Sequence, residues 1–141
     1  MTNVAFEAED REVPTELNSE ETKSWLIQIA SSENGSIEEL TYYFTSDEKL
    51  LEINIEYLNH DIYTDIITFE YGSKESIVGD IFISTDRVRE NAGDFGCSFE
   101  QELNRVIAHG LLHLLGYGDK TEEEKSHMRS LEDSYLSLRN S

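Results

Sequence analysis

The stretch that decides the fold is residues 65–84, which read DIITFEYGSKESIVGDIFIS. Both ends of this stretch are rich in β-branched and aromatic side chains, the residue types that favour strands. Between them, residues 72–75 (GSKE) contain only a glycine and polar residues, as is common in hairpin turns. The stretch therefore predicts two strands, 65–71 and 76–84, joined as an antiparallel hairpin.

The sequence on either side of the hairpin divides into further segments with strand or helix periodicity. Apolar residues at every second position predict strands, and apolar residues three or four positions apart predict helices. The additional strands are predicted at 1–8 and 36–45, and the helices at 15–32, at 46–59, after Thr85 with Val88 and Ala92, at 98–115 and at 122–138. Thr85 is the predicted cap of the third helix, and Ser98 with Gln101 three residues on predicts a capping box at the start of the fourth. We expect an α+β fold, a single mixed four-stranded sheet covered by about five helices, in one domain over residues 1–141.

The charge balance limits the partners that the protein can bind. With 30 acidic residues against 11 Lys and Arg, the formal net charge is −19. Such a surface repels phosphate backbones, so binding to nucleic acid must depend on a local basic patch or on a bound metal. The acidity otherwise promotes solubility, and it also suits a basic protein partner through complementary charge.

The location of the protein is predicted from features that the sequence lacks. Its single cysteine, Cys97, cannot form an internal disulfide, which fits a reducing compartment. The first residues are acidic and do not resemble a signal peptide, and no apolar run approaches the roughly 18–20 residues that span a bilayer. We expect a cytoplasmic protein with no membrane partner.

Residues 109–119, HGLLHLLGYGD, contain the side chains with the clearest chemistry. His109 and His113 are four positions apart in a predicted helix, so both imidazoles project from one face and can bind a tetrahedral metal ion. The helix is apolar nearly all round, which predicts that it is buried. The alternative is that both are buried core histidines whose nitrogens form hydrogen bonds within the fold. The spacing favours instead a metal site at the end of a buried central helix, with zinc as the first candidate.

Asp119 is the expected third ligand. In a continuous helix it would lie away from the histidines, but Gly116 and Gly118 can each adopt a positive φ that folds the chain back. Two histidines and a carboxylate leave one coordination position open to water, as in catalytic zinc sites. Two alternatives remain: Asp119 caps the last helix together with Glu122, or His127 serves as the third ligand in its place.

Position 110 distinguishes this motif from that of zinc peptidases. In the HExxH motif the glutamate after the first histidine is the general base, whereas this chain has Gly110. The histidine spacing still leaves a zinc metallopeptidase-like hydrolase as an alternative. A metal-stabilised docking module for the ribosome, without catalysis, is another, although a structural zinc is expected to have a fourth protein ligand.

Together with two further segments, this motif strongly resembles the YbeY family of bacterial metal-dependent endoribonucleases. The segments are YTDIITF at 63–69 and GDIFIS at 79–84, and Ile53-Asn54 stands at the family's Leu-Asn position. The resemblance covers about residues 40–135. It implies an α+β fold with a mixed sheet and a zinc ion held by three side chains. It also implies hydrolysis of single-stranded RNA in the maturation and quality control of ribosomal RNA, with rRNA precursors and the small ribosomal subunit as partners.

The chain departs from the family's pattern at two positions. Asp119 stands where the family has a third histidine, and this change keeps a zinc ligand but gives a more oxygen-rich site that also suits other divalent metals. Leu58 stands where the family has an arginine, the natural side chain to bind phosphate. The contact to substrate phosphate then falls to Arg87, Arg89 or Arg105.

We expect the substrate cleft near the ends of the predicted strands. A metal bound there lowers the pKa of a water molecule and polarises the phosphoryl oxygen. The sequence identifies no general base, and attack by the 2′-hydroxyl of the RNA itself stays open as an alternative. The side chains predicted to contact the substrate, each of which a cap, a turn or simple solvation would also explain, are Asn54, Thr64, Asp65, Thr68, Ser84, Arg87 and Arg89.

Overall fold

Four strands and five helices make up residues 2–139, the part of the chain that the computed structural model describes. In chain order they are β1 (Asn3–Ala8), α1 (Ser19–Ser32), β2 (Ile37–Thr45), α2 (Asp47–Leu58), β3 (Ile66–Glu70), β4 (Ile77–Ser84), α3 (Thr85–Phe95), α4 (Phe99–Leu114) and α5 (Glu122–Arg139). The predicted α+β fold, with one mixed four-stranded sheet and five helices, is confirmed.

The sheet has the strand order β1-β2-β4-β3. β1, β2 and β4 are parallel neighbours, and β3 pairs antiparallel with β4, so the predicted hairpin is confirmed. From Leu40 onward, every second side chain of the inner strand β2 is fully buried: Leu40, Tyr42 and Phe44. The Tyr42 hydroxyl donates a hydrogen bond to the Ile107 carbonyl of α4 at 2.8 Å, which ties this face of the sheet to the central helix.

Two helices begin at positions other than those predicted, and capping side chains explain both differences. α1 begins at Ser19 because the side chain of Asn18 caps it, accepting a hydrogen bond from the backbone three residues on. α3 is capped by Ser84 and not, as predicted, by Thr85. The capping box predicted at the start of α4 is confirmed.

α4 is the central helix, packed against the sheet and in contact with both α3 and α5. Two glycines allow its close approach to the sheet. A Cβ at Gly79 of β4 would lie 2.8 Å from Leu114 Cδ1, and a Cβ at Gly110 of α4 would lie 2.9 Å from Ile81 Cδ1. Position 110 therefore faces the sheet. Within residues 2–139, no helix has the length and apolar character needed to cross a membrane.

Candidate metal centre

The chain reverses direction directly after α4. Gly116 has a φ of 107°, a left-handed conformation that glycine adopts at little cost, and its amide donates to the His113 carbonyl. The prediction that Gly118 acts in the same way is wrong, because Gly96 and Gly116 are the glycines with positive φ in residues 2–139. A Cβ at position 118 would lie 2.5 Å from Glu124 Oε2, the end of an exposed side chain, so a larger residue there would displace the Glu124 carboxylate that caps α5.

This reversal brings Asp119 to the two histidines of α4. Asp119 Oδ2 lies 3.3 Å from His109 Nε2 and 3.3 Å from His113 Nε2. All three ligand atoms lie within 4.8 Å of one another, and no other such group of His, Cys, Asp or Glu occurs within residues 2–139. Ligands bound tetrahedrally at about 2.0–2.1 Å from zinc are about 3.3–3.4 Å apart, so the group has the dimensions of a metal site.

Asp119 is available for a metal because other residues cap α5. Thr121 Oγ1 accepts a hydrogen bond from the Glu124 amide, and Glu124 Oε1 accepts one from the Thr121 amide, both at 3.0 Å. The alternative that Asp119 caps α5 is therefore wrong. His127 is exposed on α5, where its ring centroid lies 5.4 Å from that of Tyr117, and it does not belong to the ligand group.

A buried carboxylate, Glu132 of α5, orients the first histidine. His109 Nδ1 lies 2.7 Å from Glu132 Oε2. Because a carboxylate only accepts, this hydrogen bond places a proton on Nδ1 and leaves the Nε2 lone pair for a metal. Arg105 donates to Glu132 at 2.9 Å and to Asp133 at 2.7 Å, which fixes the carboxylate in turn. Burial lowers the pKa of His109, but the hydrogen bond to Glu132 and the nearby carboxylates outweigh it and leave that pKa raised.

The ligand group lies in an open cleft of about 490 Å³, a volume typical of small-ligand sites. Residues from the start of β3 and from α3, α4 and α5 line the cleft. Its charged side chains, apart from the ligand group, are Asp65, Glu102, Arg105, Lys125, Arg129 and Glu132. The cleft therefore combines the metal-binding group with cations of α4 and α5 that the net charge of −19 does not reveal.

Asp65 and Glu102 are carboxyl groups in an environment that disfavours their charge. Burial raises the pKa of Asp65 above its ordinary value, although the charge of His109 opposes the shift. Burial also raises the pKa of Glu102, and repulsion by Asp65 raises it further. Both groups therefore retain a proton to higher pH than exposed carboxyls do, and a cation bound beside them favours their ionisation.

We expect Asp65→Asn to stabilise the metal-free protein at neutral pH. An acid whose pKa is higher in the folded than in the unfolded chain stabilises the fold only while protonated, so its contribution is lost as pH rises above the unfolded pKa. Asparagine has no carboxyl group to ionise, so the variant avoids this loss of stability. A gain of about 1 kcal/mol in the free energy of unfolding would raise Tm by about 2–4 °C. The difference should shrink as pH falls toward about 4, the pKa of an exposed aspartate.

Thermal unfolding in chelator at neutral and at acidic pH measures this effect. Asp61→Asn is the matched control, because Asp61 is exposed and does not line the cleft. If Asp65→Asn and Asp61→Asn change Tm equally at neutral pH, burial does not destabilise the Asp65 carboxylate.

Three of the predicted substrate contacts, Thr64, Asp65 and Thr68, line the cleft. Two others, Asn54 and Ser84, are buried and do not line it. Asn54 Nδ2 donates to the carbonyl of Ile62 at 2.9 Å, which holds the loop after α2. Ser84 Oγ donates to Asp47 Oδ1 at 2.6 Å while it caps α3. Hydrogen bonding within the fold explains both residues.

The two arginines predicted to bind phosphate, Arg87 and Arg89, also lie outside the residues that line the cleft. Arg87 Nη2 lies 2.9 Å from Asp47 Oδ2. Arg89 lies 3.7 Å from Glu16 and 3.9 Å above the Phe99 ring. Arg87 Nη2 and the Arg89 guanidinium are held by carboxylates of the fold, while Arg87 Nε is buried without a hydrogen-bond partner within residues 2–139. Neither side chain lines the cleft, so the structure corrects their predicted place there.

The cleft contains further residues that sequence reasoning did not select. Phe95 of α3 and Lys125 and Arg129 of α5 line it. A signal for the residues of α5 was present: Lys125, Arg129 and Glu132 are four and three positions apart and flank Met128, which is buried. The apolar stripe of α5 thus indicates which of its charged residues face inward. No comparable pattern marks Phe95.

Two histidines and an aspartate converge in an open cleft. This arrangement defines a class of proteins that can hold a metal ion where a substrate can reach it. Residues 3–140 match the family described as Endoribonuclease YbeY. The Endoribonuclease YbeY of Cytophaga hutchinsonii is 56% identical over 84% of each chain, and that of Bacteroides thetaiotaomicron is 43% identical over 96% of this chain and 98% of its own. The solution structure of TM1509 from Thermotoga maritima is similar, with a TM-score of 0.68, 26% identity and coverage of 96% of this chain and 88% of that one. The chain belongs to the endoribonuclease YbeY family.

Proposed function

We propose that this chain is a zinc-dependent endoribonuclease that cuts single-stranded regions of ribosomal RNA precursors. The observation that carries the proposal is the convergence of His109, His113 and Asp119 in an open cleft, in a member of an endoribonuclease family. Three protein ligands leave a coordination position for water or a phosphoryl oxygen, whereas structural zinc sites are closed by a fourth.

The residues of the cleft have distinct roles in this proposal. When bound, the metal polarises a phosphoryl oxygen and lowers the pKa of water. His109 and His113 would hold it through Nε2 and Asp119 through a carboxylate oxygen, while the hydrogen bond to Glu132 keeps His109 in the tautomer that leaves Nε2 free. Asp65 is our candidate for the general base, because it lies in the cleft and its raised pKa suits proton exchange better than that of an exposed carboxyl.

The test of this function compares RNA substrates with the zinc-loaded wild type. The substrates are a single-stranded oligonucleotide, the same sequence in a duplex, and the same strand with 2′-deoxyribose at every position. We expect cleavage of the single-stranded RNA and at least tenfold slower cleavage of the duplex, whose bases cannot unstack into the cleft at little cost. No cleavage of any RNA would contradict the proposed function.

The deoxyribose strand and the product ends decide the mode of attack. If water attacks, the RNA products end in linear phosphates without a cyclic intermediate, and any cutting of the deoxyribose strand shows this mode because that strand has no 2′-hydroxyl. If the 2′-hydroxyl attacks, the deoxyribose strand resists and the RNA products end in 2′,3′-cyclic phosphates.

The zinc peptidase alternative meets an obstacle at position 110. A peptidase of the HExxH type needs a glutamate there, directed at substrate in the cleft. A Cβ at Gly110 would lie 2.9 Å from Ile81 Cδ1 and 3.0 Å from Ile66 Cδ1, so a side chain at this position meets the sheet. The position cannot supply a general base.

We therefore expect Gly110→Glu to destabilise the fold instead of creating a peptidase. Forcing a side chain into this contact costs about 1–3 kcal/mol, and burying its unpaired carboxylate costs several kcal/mol more. Thermal unfolding should show a large fall in Tm. Gly93→Glu is the control, because Gly93 is an exposed helical position where a Cβ meets nothing within 4 Å. A stable Gly110→Glu protein that cleaves peptides would contradict this expectation.

We also propose that the protein acts in the cytoplasm together with the small ribosomal subunit or one of its basic proteins. The net charge of −19 supports a basic partner through complementary fields. A docking module without catalysis would bind the subunit and cut no RNA. The comparison of RNA substrates therefore distinguishes a docking module from a nuclease. The open coordination position favours catalysis over docking alone.

A further inference from the structure

Arg129 of α5 is the cation of the cleft that the fold leaves without a carboxylate partner. Within residues 2–139 no carboxylate oxygen lies at ion-pair distance from it, and its charge acts only at longer range, on the carboxyl of Glu102. Arg105 is held by two carboxylates of α5 at 2.9 and 2.7 Å. Lys125 has one exposed partner at 3.8 Å. Arg129 is therefore the guanidinium most available to an anion that enters from solvent.

Phe95, in the last turn of α3, is an aromatic residue at the same cleft with 62% of its surface exposed. Its ring does not pack into the apolar core, unlike that of Phe99, which packs against the core and is covered by Arg89 at 3.9 Å. An exposed ring beside a ligand site offers a flat apolar face on which an unpaired base can stack.

These two residues come from helices that both contact α4, the helix of the metal-binding histidines. Phe95 belongs to α3 and Arg129 to α5, and both line the cleft that contains His109, His113 and Asp119. A strand that reaches the metal site thus encounters an aromatic face from one helix and a guanidinium from the other. A guanidinium binds phosphate through two parallel hydrogen bonds.

We infer that single-stranded RNA binds in this cleft with one base stacked on Phe95 and a nearby phosphate bound by Arg129. The inference rests on the proposed function and names the residues that select its substrate. A base paired in a duplex cannot stack on Phe95, so the ring favours unpaired RNA. Repulsion from the acidic surface elsewhere directs the strand to the cleft, where cations and a bound metal offset the carboxylates.

The test measures RNA binding separately from cleavage. Fluorescence anisotropy with a 2′-O-methylated single-stranded oligonucleotide, checked on a gel to be intact, gives the Kd of zinc-loaded variants. Phe95→Ala should weaken binding by roughly 5- to 100-fold, since each stacked base contributes on that scale. Phe95→Tyr keeps an aromatic ring and should bind as the wild type does. Zinc content should equal that of the wild type in every variant.

Arg129→Ala should weaken binding by about tenfold and reduce the dependence of log K on log salt by about 0.7, the value for one phosphate contact of a single strand. Phe95→Ala should leave that salt dependence unchanged. The matched controls are Tyr71→Ala, a 65% exposed aromatic outside the cleft, and Arg89→Ala, an arginine outside it. Both controls should bind as the wild type does.

A probe with one abasic position, moved along the strand, identifies the stacked base. At one position the missing base should weaken binding to the wild type and leave binding to Phe95→Ala unchanged. If both variants bind like their controls while the wild type binds and cuts RNA, this inference is overturned and the proposed function stands. If the zinc-loaded wild type neither binds nor cuts RNA, both are overturned.

Discussion

His113→Ala should yield a folded protein that no longer retains stoichiometric zinc and no longer cuts RNA. The substitution removes one of three ligands and leaves two, too few for a stable site. Its loss of zinc affinity should exceed the roughly 10- to 100-fold loss that removal of an outer partner causes. The fold should survive, because the His113 side chain is 25% exposed and alanine is a good helix former. Elemental analysis and RNA cleavage measure both effects.

His127→Ala is the matched control for this prediction. His127 is an exposed histidine of α5 outside the ligand group, so its removal should leave zinc content and cleavage unchanged. If His127→Ala loses zinc while His113→Ala retains it, the assignment of the ligands is wrong.

The third ligand can be tested by exchange as well as by removal. Asp119→Asn keeps the shape of the side chain but removes its charge, and it should lose zinc in parallel with His113→Ala. Asp119→His replaces the carboxylate oxygen by an imidazole nitrogen, so it should retain zinc and should favour zinc over harder divalent metals more than the wild type does.

Glu132→Gln should lower the affinity for zinc by about 10- to 100-fold, the second largest effect that we expect. The Glu132 carboxylate accepts from His109 Nδ1 at 2.7 Å and from Arg105 at 2.9 Å. The amide of the variant could still accept one of these hydrogen bonds, but it would lack the negative charge that makes the imidazole a stronger ligand. Competition with a chromophoric chelator gives the zinc Kd.

Asp133→Asn distinguishes an effect on the histidine from an effect on the arginine. Asp133 also binds Arg105, at 2.7 Å, but it does not contact His109. We expect Asp133→Asn to bind zinc as the wild type does. Equal losses in the two variants would mean that Arg105, and not the carboxylate at His109 Nδ1, governs the affinity.

The features that the sequence predicted well are those set by neighbouring residues. The hairpin of β3 and β4 follows from the residue types at 65–84, and the pair His109 and His113 follows from helical spacing. The turn at Gly116 could be predicted because a positive φ is a local property of glycine. Together these features predicted the fold class and the residues that converge in the cleft.

The features that the sequence did not predict depend on how helices pack. Arg87 and Arg89 follow a strand end, yet Asp47 and Glu16 from distant parts of the chain bind them. Gly118 lies beside the Glu124 carboxylate, a contact that only the position of α5 reveals. Phe95 and Arg129 become neighbours of the metal site only once α3 and α5 pack against α4. The apolar stripe of α5 indicates which face of that helix Arg129 is on, but no local pattern selects Phe95.

The most direct test of the central claim is a titration of metal-free protein with zinc while RNA cleavage is measured. The claim is that one metal ion, held by His109, His113 and Asp119, makes this chain a nuclease. We predict that cleavage of single-stranded RNA rises in proportion to added zinc and stops rising at one equivalent per chain. Cleavage that is already complete in the metal-free protein, or that does not appear at any zinc concentration, would contradict it.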